Sequence, residues 1–185
     1  MEKAQTQIVL GHLGIHRLDR DYIPLLVMDS ILGEGVSGGF TARIPFQLRD
    51  VQGLAYSVGS SITSSASFDP GAFIAQMSTE PKNEARAVSA LLAEIRRIRS
   101  EPVSDKELRE AVNYLVNSYV FGFETHGQLA SYLLSTSYYG LGVDYRQQFP
   151  RLVRQVTRED VQRVAVEHLR PDRYTLIVVG PEKKP

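Results

Sequence analysis

The sequence predicts an α+β fold: a single sheet of about four strands with helices packed mainly on one face. Three observations carry this. Extended runs crowd the first half of the chain, a helical apolar period takes over from Pro81, and the chain closes on a compact apolar run, RYTLIVVG. With 185 residues, 43% hydrophobic and 23% charged, the chain has the composition of one globular domain covering residues 1–185.

Each element follows in order. Residues 5–15 (QTQIVLGHLGI) set Ile8, Leu10, Leu13 and Ile15 among smaller or polar residues, which predicts a strand with one buried face. Asp19 is an N-cap candidate for a helix over 22–32, where Tyr22, Leu25, Leu26, Asp29 and Leu32 keep helical spacing, Pro24 is tolerated in the first turn and Gly33 is the stop. Residues 40–51 repeat that pattern through Phe40, Ile44, Leu48 and Val51, with Pro45 expected to bend the helix or delay its start and Gly53 to end it. Two extended runs, 54–68 and 72–79, flank Asp69-Pro70-Gly71, whose Pro and Gly suit a type II turn and predict a hairpin.

The helical half is marked by caps. Ala85, Val88, Leu91, Leu92, Ile95 and Ile98 form one stripe of a helix over 82–100, with Glu94, Arg96, Arg97 and Arg99 left to solvent. Ser104 and Glu107 make a capping box opening a helix over 105–121. Leu129, Leu133 and Leu134 mark another helix before Gly140, and 144–153 a shorter one. Thr157 and Asp160 form a second box, opening a helix to Leu169, and RYTLIVVG reads as a buried strand. Four strands are few for so many helices, so the sheet is expected to be completed by preceding residues or covered by a partner chain.

Composition excludes several classes of function. Lys plus Arg (21) equals Asp plus Glu (21), which argues against a nucleic-acid binder or a membrane-surface protein. The absence of cysteine removes thiolate metal sites and cysteine nucleophiles. The apolar run at 22–32 is broken by Asp29 and falls far short of the ~20 residues of a membrane span. The N-terminus lacks a secretory pattern, which favours a cytoplasmic protein; a periplasmic one is compatible if a leader was trimmed.

Four motifs bear on chemistry. His12 and His16 have the outer spacing of H-x-x-E-H, but Ile15 stands where the general base belongs, so no metal site is expected; His126 and His168 show no visible partner. Gly33-Glu34-Gly35-Val36-Ser37-Gly38 satisfies G-x-G-x-x-G but follows a helix where a dinucleotide site needs a strand. Ser37 also fits G-x-S-x-G, a serine-hydrolase alternative that needs a strand-to-helix turn and has only His126 or His168 to complete it. The last is Arg49 with Tyr56. A Gly53 turn between a helix end and the next strand could bring guanidinium and phenol together, two donors able to orient a peptide carbonyl and stabilise developing negative charge.

Read as a whole, Gln7-Ile8-Val9-Leu10-Gly11-His12, Asp21-Tyr22 with Ile31-Leu32-Gly33, Ala42-Arg43 before Leu48-Arg49, Gly53-Leu54-Ala55-Tyr56-Ser57, Val103-Ser104-Asp105-Lys106-Glu107-Leu108, Tyr139-Gly140-Leu141 and Val156-Thr157-Arg158-Glu159-Asp160-Val161 resemble the C-terminal, non-zinc half-module of the M16 metallopeptidases. This is the family of insulin-degrading enzyme, mitochondrial processing peptidase and pitrilysin. The resemblance implies a mixed, largely antiparallel sheet, and a substrate-binding half of a zinc endopeptidase that acts on extended, unfolded peptides. It implies zinc and H-x-x-E-H in a complementary module, in the same chain or a separate subunit, and none in this one. Arg49 and Tyr56 match the family's arginine and tyrosine that reach the scissile region. Gly35, Gly38 and Gly39 stand where a glycine-rich substrate loop lies, here much shortened. A structural relative without peptidase work, acting in protein assembly, is the alternative, and a homodimer is compatible with either.

Overall fold

The computed structural model describes residues 5–34 and 41–181. Four strands, β1 (Thr6–Leu13), β2 (Val58–Ser61), β3 (Ala72–Thr79) and β4 (Thr175–Val179), form one sheet in the order β2-β3-β1-β4. All three ladders are antiparallel: Leu10 faces Ala75 of β3 and Leu176 of β4, and Ser60 also faces Ala75. The strand period of two separates the faces. Ile8, Leu10, Phe73, Ala75 and Met77 are buried and join one core with Leu25, Leu91, Ile95, Val161 and Val164 of the helices, while Ile74 and Gln76 remain exposed on the other face. Each large apolar side chain withdrawn in this way contributes about 1.5–3 kcal/mol.

Helix α1 (Tyr22–Asp29) does not stop at Gly33 but runs into a π-helical turn, Ser30–Glu34. Gly33 is there for close approach. A Cβ on it would lie 2.5 Å from the Ser60 amide nitrogen and 2.4 Å from the Ser60 carbonyl oxygen. Asp19 is not the N-cap: it lies two residues ahead of that position, Asp21, whose amide it accepts at 2.8 Å. Helix α2 is the short Arg43–Pro45, continued by a π-helical Phe46–Val51, so Pro45 both delays and distorts it.

The hairpin is longer than the turn chemistry of residues 69–71 predicts. β2 ends at Ser61, Gly71 lacks the positive φ of a type II turn, and its N–H and C=O bond instead to Ile15 and Gly14 at the end of β1. Asp29 organises what lies between. Wholly buried, its carboxylate accepts from Ser61 Oγ (2.9 Å), the Ile62 and Thr63 amides and Thr63 Oγ1 (2.6 Å).

Helices α3 (Glu84–Ser100), α4 (Asp105–Ser118), α5 (His126–Tyr138), α6 (Tyr145–Gln155) and α7 (Arg158–His168) follow. Both predicted capping boxes form, and a third at Thr125 with Gln128 opens α5. The α3 stripe uses Ala87 rather than Ala85 and includes Glu94, expected in solvent but only 7% exposed, whose carboxyl is pushed up by burial despite Arg97 at 3.2 Å. α4 ends at Ser118 and passes into a 3-10 turn, Tyr119–Phe123. In α5 the leucines that predicted the helix, Leu133 and Leu134, face outward, and Thr136 is buried instead. β4, expected to be buried, is exposed at all five positions: it lies at the rim of the sheet, and among the described residues neither of its faces is covered.

Candidate functional site

The arginine and tyrosine spring from one firmly anchored segment. Arg49 lies in the last turn of the π-helical stretch, and Gly53, with φ +60°, reverses the chain. The amides of Leu54 and Ala55 return to the Leu48 carbonyl at 2.7 and 3.3 Å, and Thr79 Oγ1 donates to the Leu54 carbonyl at 2.7 Å. Leu54 and Ala55 are thereby plugged into the protein. Tyr56 then projects outward, 87% exposed, before Ser57 rejoins the sheet by accepting the Ser78 amide at 3.0 Å. Arg49 Nε donates to Asp50 Oδ1 at 2.8 Å, which steadies the guanidinium at the surface. Tyr56 is thus an exposed tip on a rigid base, while Arg49 is half-buried. Tyr56 stands two residues ahead of β2 rather than inside it.

Gly35, Gly38, Gly39 and Ser37 lie outside the described residues. Ser37's nominal partners have other settings: His126 is the first residue of α5, and His168 is bonded to Asp21. The expected absence of a partner for His168 is therefore corrected. Its Nε2 lies 2.9 Å from Asp21 Oδ2, while Arg163 holds Oδ1 at 2.9 Å, tying the end of α7 to the start of α1. Burial raises the Asp21 carboxyl, but Arg163 and His168 outweigh it and leave its pKa below the ordinary value.

Asp21, Glu167 and His168 are the one group of potential ligands within metal-binding reach among the described residues. Zinc does not fit them. Both Asp21 oxygens are taken, and the Arg163 guanidinium, which also bonds Glu167 at 3.1 Å, supplies the positive charge an ion would bring. His12 and His16 bond to separate carbonyls, Leu13 and Phe68, and do not converge. No helix among the described residues is long and apolar enough to cross a membrane.

Two further polar centres escaped the sequence reading. Asp29 carried a signal, since it breaks the apolar run at 22–32. Arg43 carried none: 8% exposed, it makes a two-pronged bond to Glu107 (2.7 and 3.1 Å) and joins α2 to the cap of α4.

Among the described residues, fold and site together give an α+β module with an exposed Tyr56, a half-buried Arg49 and no ligand set that zinc fits. The chain belongs to the peptidase M16 inactive domain family, whose model matches residues 1–115. It is 29% identical over 180 residues to an uncharacterized zinc protease of Streptomyces coelicolor, and 24% identical over 172 residues to the non-peptidase homolog YmxG of Helicobacter pylori. These alignments cover 97% and 92% of this chain but 38% of each relative, so the chain spans well under half the length of the curated relatives it matches. Among solved structures, the peptidase M16 inactive domain from Pseudomonas fluorescens superposes with a TM-score of 0.87 at 26% identity, covering 100% of this chain and 43% of that one.

Proposed function

We propose that this chain is the substrate-binding half of a zinc-dependent endopeptidase acting on extended peptides, inactive until paired with a zinc-bearing M16 module. The observation that carries the reading is Tyr56: a phenol 87% exposed, on a backbone pinned on both sides, seven residues after Arg49 in the last turn of the preceding π-helical stretch. Arg49 and Tyr56 donate to the carbonyl of the scissile region and stabilise the oxyanion that develops there. The complementary module's zinc, when bound, supplies an activated water. The similarity to a zinc protease supports the peptidase reading. Substrates in extended form pair with strand edges, so many sequences are accepted.

The test is a cleavage assay of the paired protein. Arg49→Ala and Tyr56→Phe are each expected to lower the peptidase rate about a hundredfold without shifting the unfolding temperature, since neither residue is part of the core. The similarity to a non-peptidase homolog favours a second reading, a structural relative acting in assembly. It predicts a stable complex whose properties neither substitution changes. Labelling of the isolated chain by a fluorophosphonate would instead support hydrolysis at Ser37.

A further inference from the structure

β1 outruns its neighbour. Its pairing with β4 stops at Gly11 opposite Thr175, yet the strand continues through His12 and Leu13. Where β4 would have continued, a cleft of about 670 Å³ opens, with Gly11, His12 and Leu13 on one side and Arg170, Arg173 and Tyr174 on the other.

The base of the cleft is fixed. The Arg170 amide donates to His12 Nε2 at 3.1 Å, His12 Nδ1 donates to the Leu13 carbonyl at 2.8 Å, and the ring stacks on Phe73 at 5.0 Å between centroids. Those bonds hold the imidazole in one neutral tautomer, and burial, with Arg170 nearby, keeps its pKa below the ordinary histidine value. The carboxylate between the two arginines in sequence, Asp172, is turned away to Arg96 at 3.4 Å. Among the described residues no carboxylate lies within ion-pair distance of the Arg170 or Arg173 guanidinium.

We propose that this cleft binds an oxyanion, a carboxylate or a phosphate, between the guanidinium groups of Arg170 and Arg173. A guanidinium presents a planar fork of donors that matches two oxygens of either group, and the Tyr174 hydroxyl adds a further donor. The site is separate from the arginine and tyrosine pair. Tyr56 lies near Ser78, which pairs with Gln7, and six strand steps, about 20 Å, separate Gln7 from Leu13. The proposal therefore stands apart from the peptidase reading.

The test is titration of the chain followed by amide chemical shifts at about 0.15 M salt, where weak surface attraction is screened. The probes are sodium pyrophosphate, a short peptide with a free C-terminal carboxylate, and the same peptide amidated. Saturable shifts at Gly11, Gly14 and Thr175 are expected, with affinity reduced about tenfold in Arg173→Gln. Arg151→Gln, which removes the same charge from an exposed position on α6, is expected to leave affinity unchanged. Binding of pyrophosphate alone assigns the site to phosphate, and binding of the free-carboxylate peptide but not its amide assigns it to carboxylate. Failure to saturate, or equal losses in the two variants with their amide spectra otherwise intact, overturns the site.

Discussion

Asp29 is fully buried, and four donor groups from Ser61, Ile62 and Thr63 surround its carboxylate. A charge taken out of water costs several kcal/mol unless bonded this completely, and the donors in turn depend on it. Asp29→Ala would strand them inside the protein. A loss of about 3–5 kcal/mol is expected, read from the urea unfolding midpoint; Ser64→Ala in the same loop, which deletes no partner of the carboxylate, should cost well under 1 kcal/mol. At this scale the sequence was legible where causes are local. Gly53 announced a chain reversal, and its φ of +60° makes one, while Tyr56, expected in the next strand, stands two residues ahead of it. Asp21 and His168 are separated by 147 positions, and nothing in either neighbourhood announces the other.

Among elements, the contact between α2 and the N-terminus of α4 depends on Glu107, which both closes the capping box and receives Arg43. Burial pushes its carboxyl up, but the bonds from Arg43 and Ser104 outweigh this and hold it at about 2, against an ordinary 4.5. A pKa depressed in the folded state gives stability that is complete above about pH 4.5 and drains as pH falls toward 2. Unfolding free energy measured across that window is expected to decline, and Glu107→Gln, less stable at neutral pH, should flatten the decline. The contact between the π-helical turn and β2 is limited by Gly33. Gly33→Val would drive a side chain into the Ser60 backbone, and a drop of several degrees in unfolding temperature is expected by calorimetry. Caps at Ser104 and Thr157 were readable because the motif is four residues long. The equivalent Thr125 and Gln128 box carries the same pattern and shows that the signal was present though unread. Burial of β4 was not readable, since an apolar run has the same composition at the centre of a sheet as at its edge.

For the whole molecule, the sheet order places β1 and β3 inside and β2 and β4 at the rims. Hydrogen exchange is expected to follow that order, with amides of Ile8, Leu10 and Ala75 at least about a hundredfold more protected than those of Ile177 and Val179, because rim strands open without global unfolding. The order also has a consequence for synthesis on the ribosome. β1 is made among the first residues of this stretch, whereas its β4 partner is translated about 160 residues later; at ~5–20 residues per second the wait is roughly 10–30 s. Throughout that interval one margin of β1 has no strand beside it, so the nascent chain emerges as a natural client for chaperones that hold extended segments.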